Sequence, residues 1–328
     1  MENPVATVVK NAGSHYLLSA LPEWRVFPAV LRGKIRLKGS SITNPVAVGD
    51  RVRYEWEGDS STSLGMTNKG KVTETPGERM AVITEILPRS NYLIRRSTNL
   101  SRQAHIIAAN IDRAYLVVSL HFPEVKLPFL DRILVTCELY GIPATVVLSK
   151  TDLYREADEE GIKDIRSIYE RAGYPVLETS VQTGEGIDAL REACKGKVNL
   201  FSGESGVGKS SLIKALDASL DPKIGQISAA HLQGKHTTSL YEMYPLASGG
   251  FVIDSPGIRG FGLVDVEKEE IARYFPEMLR EAAHCRFTPC THTHEPGCAV
   301  KAAVDEGRIA PERYISYLGM LEEDKKFR

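Results

Sequence analysis

The stretch Gly203–Ser211 combines residue types and a spacing that bind phosphate. Its sequence, Gly-Glu-Ser-Gly-Val-Gly-Lys-Ser-Ser, fits the pattern GxxxxGK[ST]. The neighbouring residues predict a strand before it, Val198–Ser202, and a helix after it. A glycine-rich turn between a strand and a helix aims backbone N–H groups at phosphate, while Lys209 reaches the outer phosphates and the Ser210 hydroxyl ligates magnesium. The nucleotide-binding residues predicted here are Gly203, Glu204, Ser205, Gly206, Val207, Gly208, Lys209, Ser210 and Ser211.

A second motif, Ser149-Lys150-Thr151-Asp152, follows the predicted strand Pro143–Leu148 and indicates which base is bound. An ionised Asp152 accepts hydrogen bonds from both the ring N–H and the exocyclic amine of guanine, a pair that adenine does not offer. The aliphatic stem of Lys150 would lie along the base plane. Ser149 is shorter than the usual asparagine, so we expect a weaker or water-mediated contact. The alternative is a polar helix start that Thr151 or Asp152 caps.

The next predicted strand, Pro175–Thr179, leads into Thr179-Ser180-Val181-Gln182. This is the place where a GTPase carries a loose Ser-Ala-Lys element. We therefore expect Ser180 and Val181 to contact the nucleotide, with the Val181 backbone N–H bound to the guanine oxygen.

Two segments after the phosphate loop predict the magnesium site. In Gly234-Lys235-His236-Thr237-Thr238, either Thr237 or Thr238 is expected to ligate magnesium. In Asp254-Ser255-Pro256-Gly257, Asp254 would hold the ion through its water shell, and the Gly257 N–H would meet the terminal phosphate. The next residue, Ile258, cannot orient water, so His236 is the candidate for that catalytic role. Alternatively, His236 only caps or packs its loop.

The order of these motifs is unusual. Most GTPases carry the phosphate loop first and the guanine-binding elements last, whereas here the guanine-binding elements come first. Because domain termini often lie close together, a chain can be cut and rejoined without disturbing its sheet. Strands and helices alternate from Asn110 onward, which predicts a parallel sheet covered by helices on both faces. The order therefore predicts a circularly permuted GTPase domain of α/β class.

The N-terminal hundred residues predict a β-barrel instead. About five short strands separated by turn residues fit a small barrel of the OB type. Residues 1–104 hold 15 Lys and Arg against 9 Asp and Glu, although the whole chain has a net charge of −1. Alternate residues of one strand share a face, which is predicted to bind RNA, although it fits an ordinary solvated surface too. The residues of this basic face are Arg32, Lys34, Arg36 and Lys38.

Three of the five cysteines lie within fourteen residues near the C-terminus. Thiolates and imidazole at this spacing suit a closed tetrahedral zinc site, which is structural because it leaves no open position. His284, His292 and His294 compete for the fourth ligand, and the alternative is three incidental thiols. The cysteines concerned are Cys285, Cys290 and Cys298.

The bulk composition fits a soluble globular protein of 328 residues, with 42% hydrophobic and 25% charged residues. No apolar run has membrane-spanning length and no signal region opens the chain, so we expect a cytoplasmic protein that contacts no membrane. The predicted domains are an OB-fold RNA-binding barrel (1–100), a permuted GTPase domain (101–266) and a helical zinc-binding domain (267–328).

Taken together, the permuted order, the GKHTT and DSPG segments and the cysteine pattern resemble the ribosome small subunit-dependent GTPase A family over nearly the whole chain. The resemblance selects His292 as the fourth zinc ligand. It implies a GTP hydrolase, expected to be a monomer, that needs Mg²⁺ and one structural Zn²⁺. It also implies a role in late maturation of the 30S subunit, with binding to 16S rRNA and stimulation by the particle. The alternative is an RNA-binding regulatory protein whose GTP or GDP is structural, and an ATP-using enzyme is disfavoured by Asp152.

Overall fold

The computed structural model describes residues 3–32, 45–57, 79–96, 104–220, 241–255 and 266–323. Its N-terminal part is a closed five-stranded barrel, with strands in the order β1-β2-β3-β5-β4 and β4 paired back to β1. In β4 the side chains alternate, so that Val52 and Tyr54 point into the barrel whereas Arg51 is exposed. The five strands are β1 (Val5–Ala12), β2 (His15–Ser19), β3 (Val26–Leu31), β4 (Arg51–Trp56) and β5 (Ala81–Ile86).

A β-hairpin follows the barrel. It pairs β6 (Tyr92–Arg96) with β7 (Ala104–Ala109) in antiparallel fashion. The backbone pairs here because Leu93 and Ile94 are buried. Arg89 anchors the start of this segment, since its guanidinium pairs with the fully buried carboxylate of Asp50 at 2.6 Å.

The central part is a sheet in the order β10-β9-β8-β11-β13-β12, parallel except for β12. Helices α1 and α2 pack against one face, and α3 and α4 pack against the other. The strands are β8 (Arg113–Ser119), β9 (Ala144–Ser149), β10 (Val176–Glu178), β11 (Val198–Ser202), β12 (Glu242–Pro245) and β13 (Phe251–Asp254). The helices are α1 (Leu127–Leu139), α2 (Glu159–Ala172), α3 (Ile187–Cys194) and α4 (Lys209–Leu216). The predicted α/β architecture is confirmed.

The barrel and the central sheet are continuous. One end of β1 pairs with β4 to close the barrel, and the other end pairs with β12 at Lys10 and Glu242. The side chains of these two residues form an ion pair at 2.8 Å. The antiparallel strand β12 is therefore the point where the two parts meet.

The C-terminal part is helical and lies against α1 and α2. It begins with a 3₁₀ helix, Lys268–Tyr274, followed by α5 (Pro276–Ala282), α6 (Ala299–Asp305) and α7 (Pro311–Glu323). Arg313 of α7 is fully buried and pairs with Asp131 of α1 and Glu277 of α5, at 2.7 Å in each case. Among the described residues, no helix has the length and apolar character needed to cross a membrane.

Candidate functional site

The sheet brings those predicted motifs that lie in the described residues to one edge. Strands β8, β9, β10, β11 and β13 run parallel, so the loops at their carboxyl ends lie side by side. The helix that follows β11 packs on one face of the sheet, and the helix that follows the adjacent β8 packs on the other. A crevice outside such a switch point is where ligands bind in open α/β sheets. The phosphate loop, the two guanine-type loops and Asp254 are permuted along the chain, yet they are neighbours in space.

The phosphate loop folds tightly between β11 and α4. A Cβ on Gly203 would lie 2.2 Å from the Val117 carbonyl oxygen, so only glycine fits this approach. Gly208 has a left-handed φ of 99° and begins α4. Lys209 is only 5% exposed, and its Nζ donates to the carbonyl oxygens of Gly203 at 2.9 Å and Glu204 at 3.3 Å. The loop is therefore wrapped around its own lysine, as a phosphate cradle requires.

The end of β13 places Asp254 beside this loop. Burial raises the pKa of Asp254 to about 6, although nearby Lys209 opposes the rise. Burial also lowers the pKa of Lys209, which the Asp254 charge partly offsets. Asp254 Oδ1 is buried and has no hydrogen-bond partner among the described residues. An unpaired buried carboxylate oxygen fits a hard cation with its water shell, so Asp254 suits magnesium.

Ser149 contacts the protein backbone. Its hydroxyl lies 3.0 Å from the Val118 carbonyl oxygen and makes a very short contact with the Val207 carbonyl oxygen in the phosphate loop. These contacts link the end of β9 to both neighbouring loops. The Ser149 hydroxyl therefore joins the end of β9 to the phosphate loop.

Lys150 and Asp152 are held in fixed positions. Lys150 has a left-handed φ of 59°, and its Nζ donates to the carbonyl oxygens of Phe122 at 2.7 Å and Gly206 at 2.6 Å. Ser180 Oγ donates to Asp152 Oδ1 at 2.5 Å, and Thr151 is fully buried. The two predicted guanine loops are therefore in direct contact, and Val181 next to Ser180 is 45% exposed.

Seven of the predicted site residues lie outside the described part of the chain. Arg32 is described, and it lies just after β3 with its guanidinium 3.4 Å from Glu55. The residues outside the described part of the chain are Lys34, Arg36, Lys38, His236, Thr237, Thr238 and Gly257. Sequence reasoning missed Glu185, which contacts both guanine loops, and its one sequence signal is its place in the turn Gly184-Glu185-Gly186.

The four predicted zinc ligands converge. Their potential ligand atoms, from Cys285, Cys290, His292 and Cys298, all lie within 4.8 Å of one another. Cys298 Sγ is 3.4 Å from His292 Nδ1, and Cys285 Sγ is 3.6 Å from the same nitrogen. Burial lowers the pKa of His292, which favours the neutral imidazole that a metal binds. Three thiols and an imidazole at these distances fit one tetrahedral zinc ion.

The surrounding residues hold this cluster in shape. Tyr314 and Tyr317 of α7 donate their hydroxyls to the backbone oxygens of His292 and Thr291, both at 2.6 Å. Glu295 accepts hydrogen bonds from the backbone N–H groups of Thr291 and Thr293. The loop that carries the ligands is thus fixed to the helices behind it.

Comparisons with known proteins agree with this arrangement. The sequence model of the RsgA GTPase family matches residues 86–264. A Bacteroides fragilis protein named small ribosomal subunit biogenesis GTPase RsgA is 46% identical over 323 residues, covering 98% of each chain. A Flavobacterium psychrophilum protein of the same name is 42% identical over 317 residues, covering 97% of this chain and 92% of its own.

Solved structures give the same result for the fold. The crystal structure of YjeQ from Thermotoga maritima superposes with a TM-score of 0.74 at 31% identity, covering 98% of both chains. The crystal structure of YloQ, described as a circularly permuted GTPase, superposes with a TM-score of 0.68 at 26% identity, covering 99% of this chain and 96% of that one. With sequence match, permuted motif order and fold in agreement, the chain belongs to the RsgA GTPase family.

Proposed function

We propose that this chain is a GTP hydrolase that acts in the maturation of the small (30S) ribosomal subunit. The observation that carries the proposal is the meeting of the guanine-type and phosphate-type loops at one sheet edge, from motifs that are permuted along the chain. The relatives named as small ribosomal subunit biogenesis GTPases support the choice of the 30S particle and its 16S rRNA as partner.

Turnover assays with and without 30S particles test this proposal. We expect slow basal GTP hydrolysis and strong activation by 30S particles, because an active constellation completed by a partner is common in regulated GTPases. GTP turnover that 30S particles leave unchanged would instead favour the RNA-binding regulator with a structural nucleotide. Equal affinity for ATP and GTP would remove guanine recognition from the proposal.

In the proposed site, the loop Gly203–Ser211 holds the phosphates, and Ser149–Asp152 with Ser180 and Val181 surround the base. Ser210 and Asp254, together with Thr237 or Thr238, would hold Mg²⁺, and the bound ion would supply positive charge beside the phosphates. Gly257 meets the terminal phosphate, and His236 positions the attacking water. Replacing His236 with alanine is expected to remove most 30S-stimulated turnover and leave GTP affinity nearly intact.

The other two parts of the chain have proposed roles of their own. The barrel (1–100) has the closed strand order β1-β2-β3-β5-β4 and a basic sequence, which support an OB-type barrel that contacts rRNA. The C-terminal part (267–328) would be held together by one structural Zn²⁺, beside the GTPase domain (101–266). We infer a cytoplasmic location, since the 30S particle is the proposed partner. We also infer that the chain acts as a monomer.

A further inference from the structure

Glu185 joins the two guanine-type loops, although it belongs to neither motif. It lies in the turn between β10 and α3. Its carboxylate accepts a hydrogen bond from Thr151 Oγ1 at 2.9 Å, and its backbone carbonyl accepts one from the Ser180 N–H at 3.0 Å. Thr151 belongs to the first loop and Ser180 to the second. A single residue therefore holds one loop through its side chain and the other through its main chain.

Both contacts end next to Asp152. Thr151 directly precedes Asp152 and is fully buried, and its N–H also donates to the Thr179 carbonyl oxygen at 3.2 Å. Ser180 Oγ donates to Asp152 Oδ1 at 2.5 Å. The direction of the Asp152 carboxylate is thus set by Thr151 and Ser180, the two residues that Glu185 holds.

Glu185 is itself fixed by its surroundings. Its carboxylate pairs with Arg155, and Arg155 also pairs with Glu178 at the end of β10, at 2.7 Å. A Cβ on the adjacent Gly186 would lie 2.0 Å from the Glu178 carbonyl oxygen, so the turn packs closely against β10. Arg166 of α2 pairs with Glu178 as well. The anchor of Glu185 is therefore the rigid end of a strand.

We propose that Glu185 is a positioning residue for guanine recognition. It keeps the Asp152 carboxylate in the direction that accepts from both the ring N–H and the exocyclic amine of guanine. The inference rests on the proposed function, because it assumes that Asp152 faces the base. In this proposal Glu185 acts through Thr151 and Ser180 and not by its own contact with the nucleotide.

The consequence is a specific change in base selectivity. Without the Glu185 carboxylate, Thr151 loses its hydrogen bond to Glu185, whereas the main-chain contact to Ser180 remains, so the Asp152 carboxylate is less firmly directed. A paired contact suffers more from misalignment than a single one. GDP makes the paired contact, whereas IDP lacks the exocyclic amine and keeps only the ring N–H. Loss of Glu185 must therefore weaken GDP binding more than IDP binding.

The experiment compares GDP, IDP and ADP by calorimetric titration of the full-length protein in the presence of Mg²⁺. For Glu185→Ala we expect GDP affinity to fall by about tenfold and the GDP-to-IDP affinity ratio to fall by about threefold. Glu185→Gln keeps an oxygen that accepts from Thr151, so its ratio should stay within about twofold of the unmodified protein. The control is Glu192→Ala, which removes the same charge from the exposed face of α3, where Glu192 pairs with Lys195.

The outcomes separate the inference from the proposed function. An equal loss of GDP and IDP affinity in Glu185→Ala, or a Glu185→Gln variant as impaired as Glu185→Ala, overturns the positioning role. An unmodified protein that binds ADP as tightly as GDP overturns the proposed function itself. If Glu185→Ala does not fold, Thr151→Val breaks the same hydrogen bond from the other side. An unchanged GDP-to-IDP ratio in that variant also overturns the inference.

Discussion

Asp152 is the side chain on which base choice depends in the proposed site. Replacing it with asparagine removes a charged acceptor and adds an amide donor. We expect Asp152→Asn to weaken GDP binding by roughly 2–4 kcal/mol, since a charge-assisted paired contact is lost. XDP has a carbonyl in place of the exocyclic amine. We expect Asp152→Asn to bind XDP more tightly than the unmodified protein binds XDP.

Competition titrations with GDP and XDP measure this change. Asp164→Asn is a matched control, because Asp164 lies exposed on α2 and takes the same substitution. Unaltered GDP affinity in Asp152→Asn would show that this carboxylate does not face the base.

His292 and His294 provide a second residue-level prediction, because they are two residues apart and differ in surroundings. His292 is 3% exposed and lies among the cysteines, whereas His294 Nδ1 contacts Thr293 Oγ1 at the surface. We expect His292→Ala to lose zinc and to unfold at a lower temperature, because ligation energy is folding energy in such a site. His294→Ala should keep one zinc per chain. Metal analysis and thermal unfolding check both, and equal zinc content in the two variants would contradict the assignment.

The sequence predicts these residues because their chemistry is short-range. Phosphate loops and zinc clusters place their functional groups within a few residues, so spacing reveals the phosphate loop and the three cysteines, whereas His292 is selected among three histidines only by the family resemblance. Ser149 and Glu185 differ, because their partners lie 58 and 34 positions away, at Val207 and Thr151. No local pattern carries such contacts, and only the folded sheet brings them together.

At the level of elements, Asp217 links the end of α4 to the turn between β12 and β13. Its carboxylate accepts from the Ala247 N–H at 2.6 Å and from the Ser219 N–H at 2.9 Å. We expect Asp217→Asn to lower the free energy of unfolding by about 1–2 kcal/mol at pH 7, because charge-assisted hydrogen bonds become neutral ones. Urea unfolding measures the difference.

The difference in the free energy of unfolding between Asp217→Asn and the unmodified protein is expected to depend on pH. Hydrogen bonds from Ser219 and Ala247 lower the pKa of Asp217 below its ordinary value. A carboxylate whose pKa is lowered in the folded state stabilises the fold at pH values above its unfolded-state pKa. That contribution is lost as pH falls through the folded-state pKa. The gap between Asp217→Asn and the unmodified protein should therefore shrink below about pH 4. A gap that grows on acidification would contradict this role for the carboxylate.

Two elements, the hairpin β6–β7 and helix α6, are not predicted from the sequence pattern. The hairpin β6–β7 has arginine-rich sequence around its first strand, and that composition does not by itself indicate paired strands. Helix α6 has only seven residues, and the backbone N–H of Lys301 bonds to the sulfur of Cys298 at its start. Both elements depend on tertiary contacts, whereas the longer strands and helices follow from their own hydrophobic periodicity.

At the scale of the whole molecule, Arg313 connects the C-terminal helices to helix α1 of the central part. Its guanidinium is fully buried between the carboxylates of Asp131 and Glu277. Arg313→Met would leave both carboxylates buried without a counter-charge, so we expect a loss of about 3–5 kcal/mol in the free energy of unfolding. Arg273→Met, which removes an exposed ion pair with Glu270, is the control and should change little. Chemical denaturation measures the free energy of unfolding of both variants. Equal values for Arg313→Met and Arg273→Met would contradict a structural role for the buried arginine.

The barrel gives the other prediction at this scale. Four charge reversals on its basic face, at Arg32, Lys34, Arg36 and Lys38, should weaken 30S binding. If all four contact phosphate, the slope of log affinity against log salt should become shallower by about 3. Filter binding at several salt concentrations measures this slope. Reversing four exposed cations elsewhere, at Lys163, Lys195, Lys214 and Arg273, is the control. If the two variants have identical slopes of log affinity against log salt, the basic face is an ordinary solvated surface that does not contact phosphate.

The pairing of β1 with β12 has a consequence for how the chain is made. Lys10 and Glu242 are separated by roughly 230 residues, so one end of β1 leaves the ribosome long before its partner strand exists. The other end meets β4 early and closes the barrel. In the interval, the Lys10 end of β1 is an unpaired strand edge of the kind that invites aggregation. A fragment that stops before β12 carries that open edge permanently, so the barrel produced alone is expected to self-associate more readily than the full-length protein.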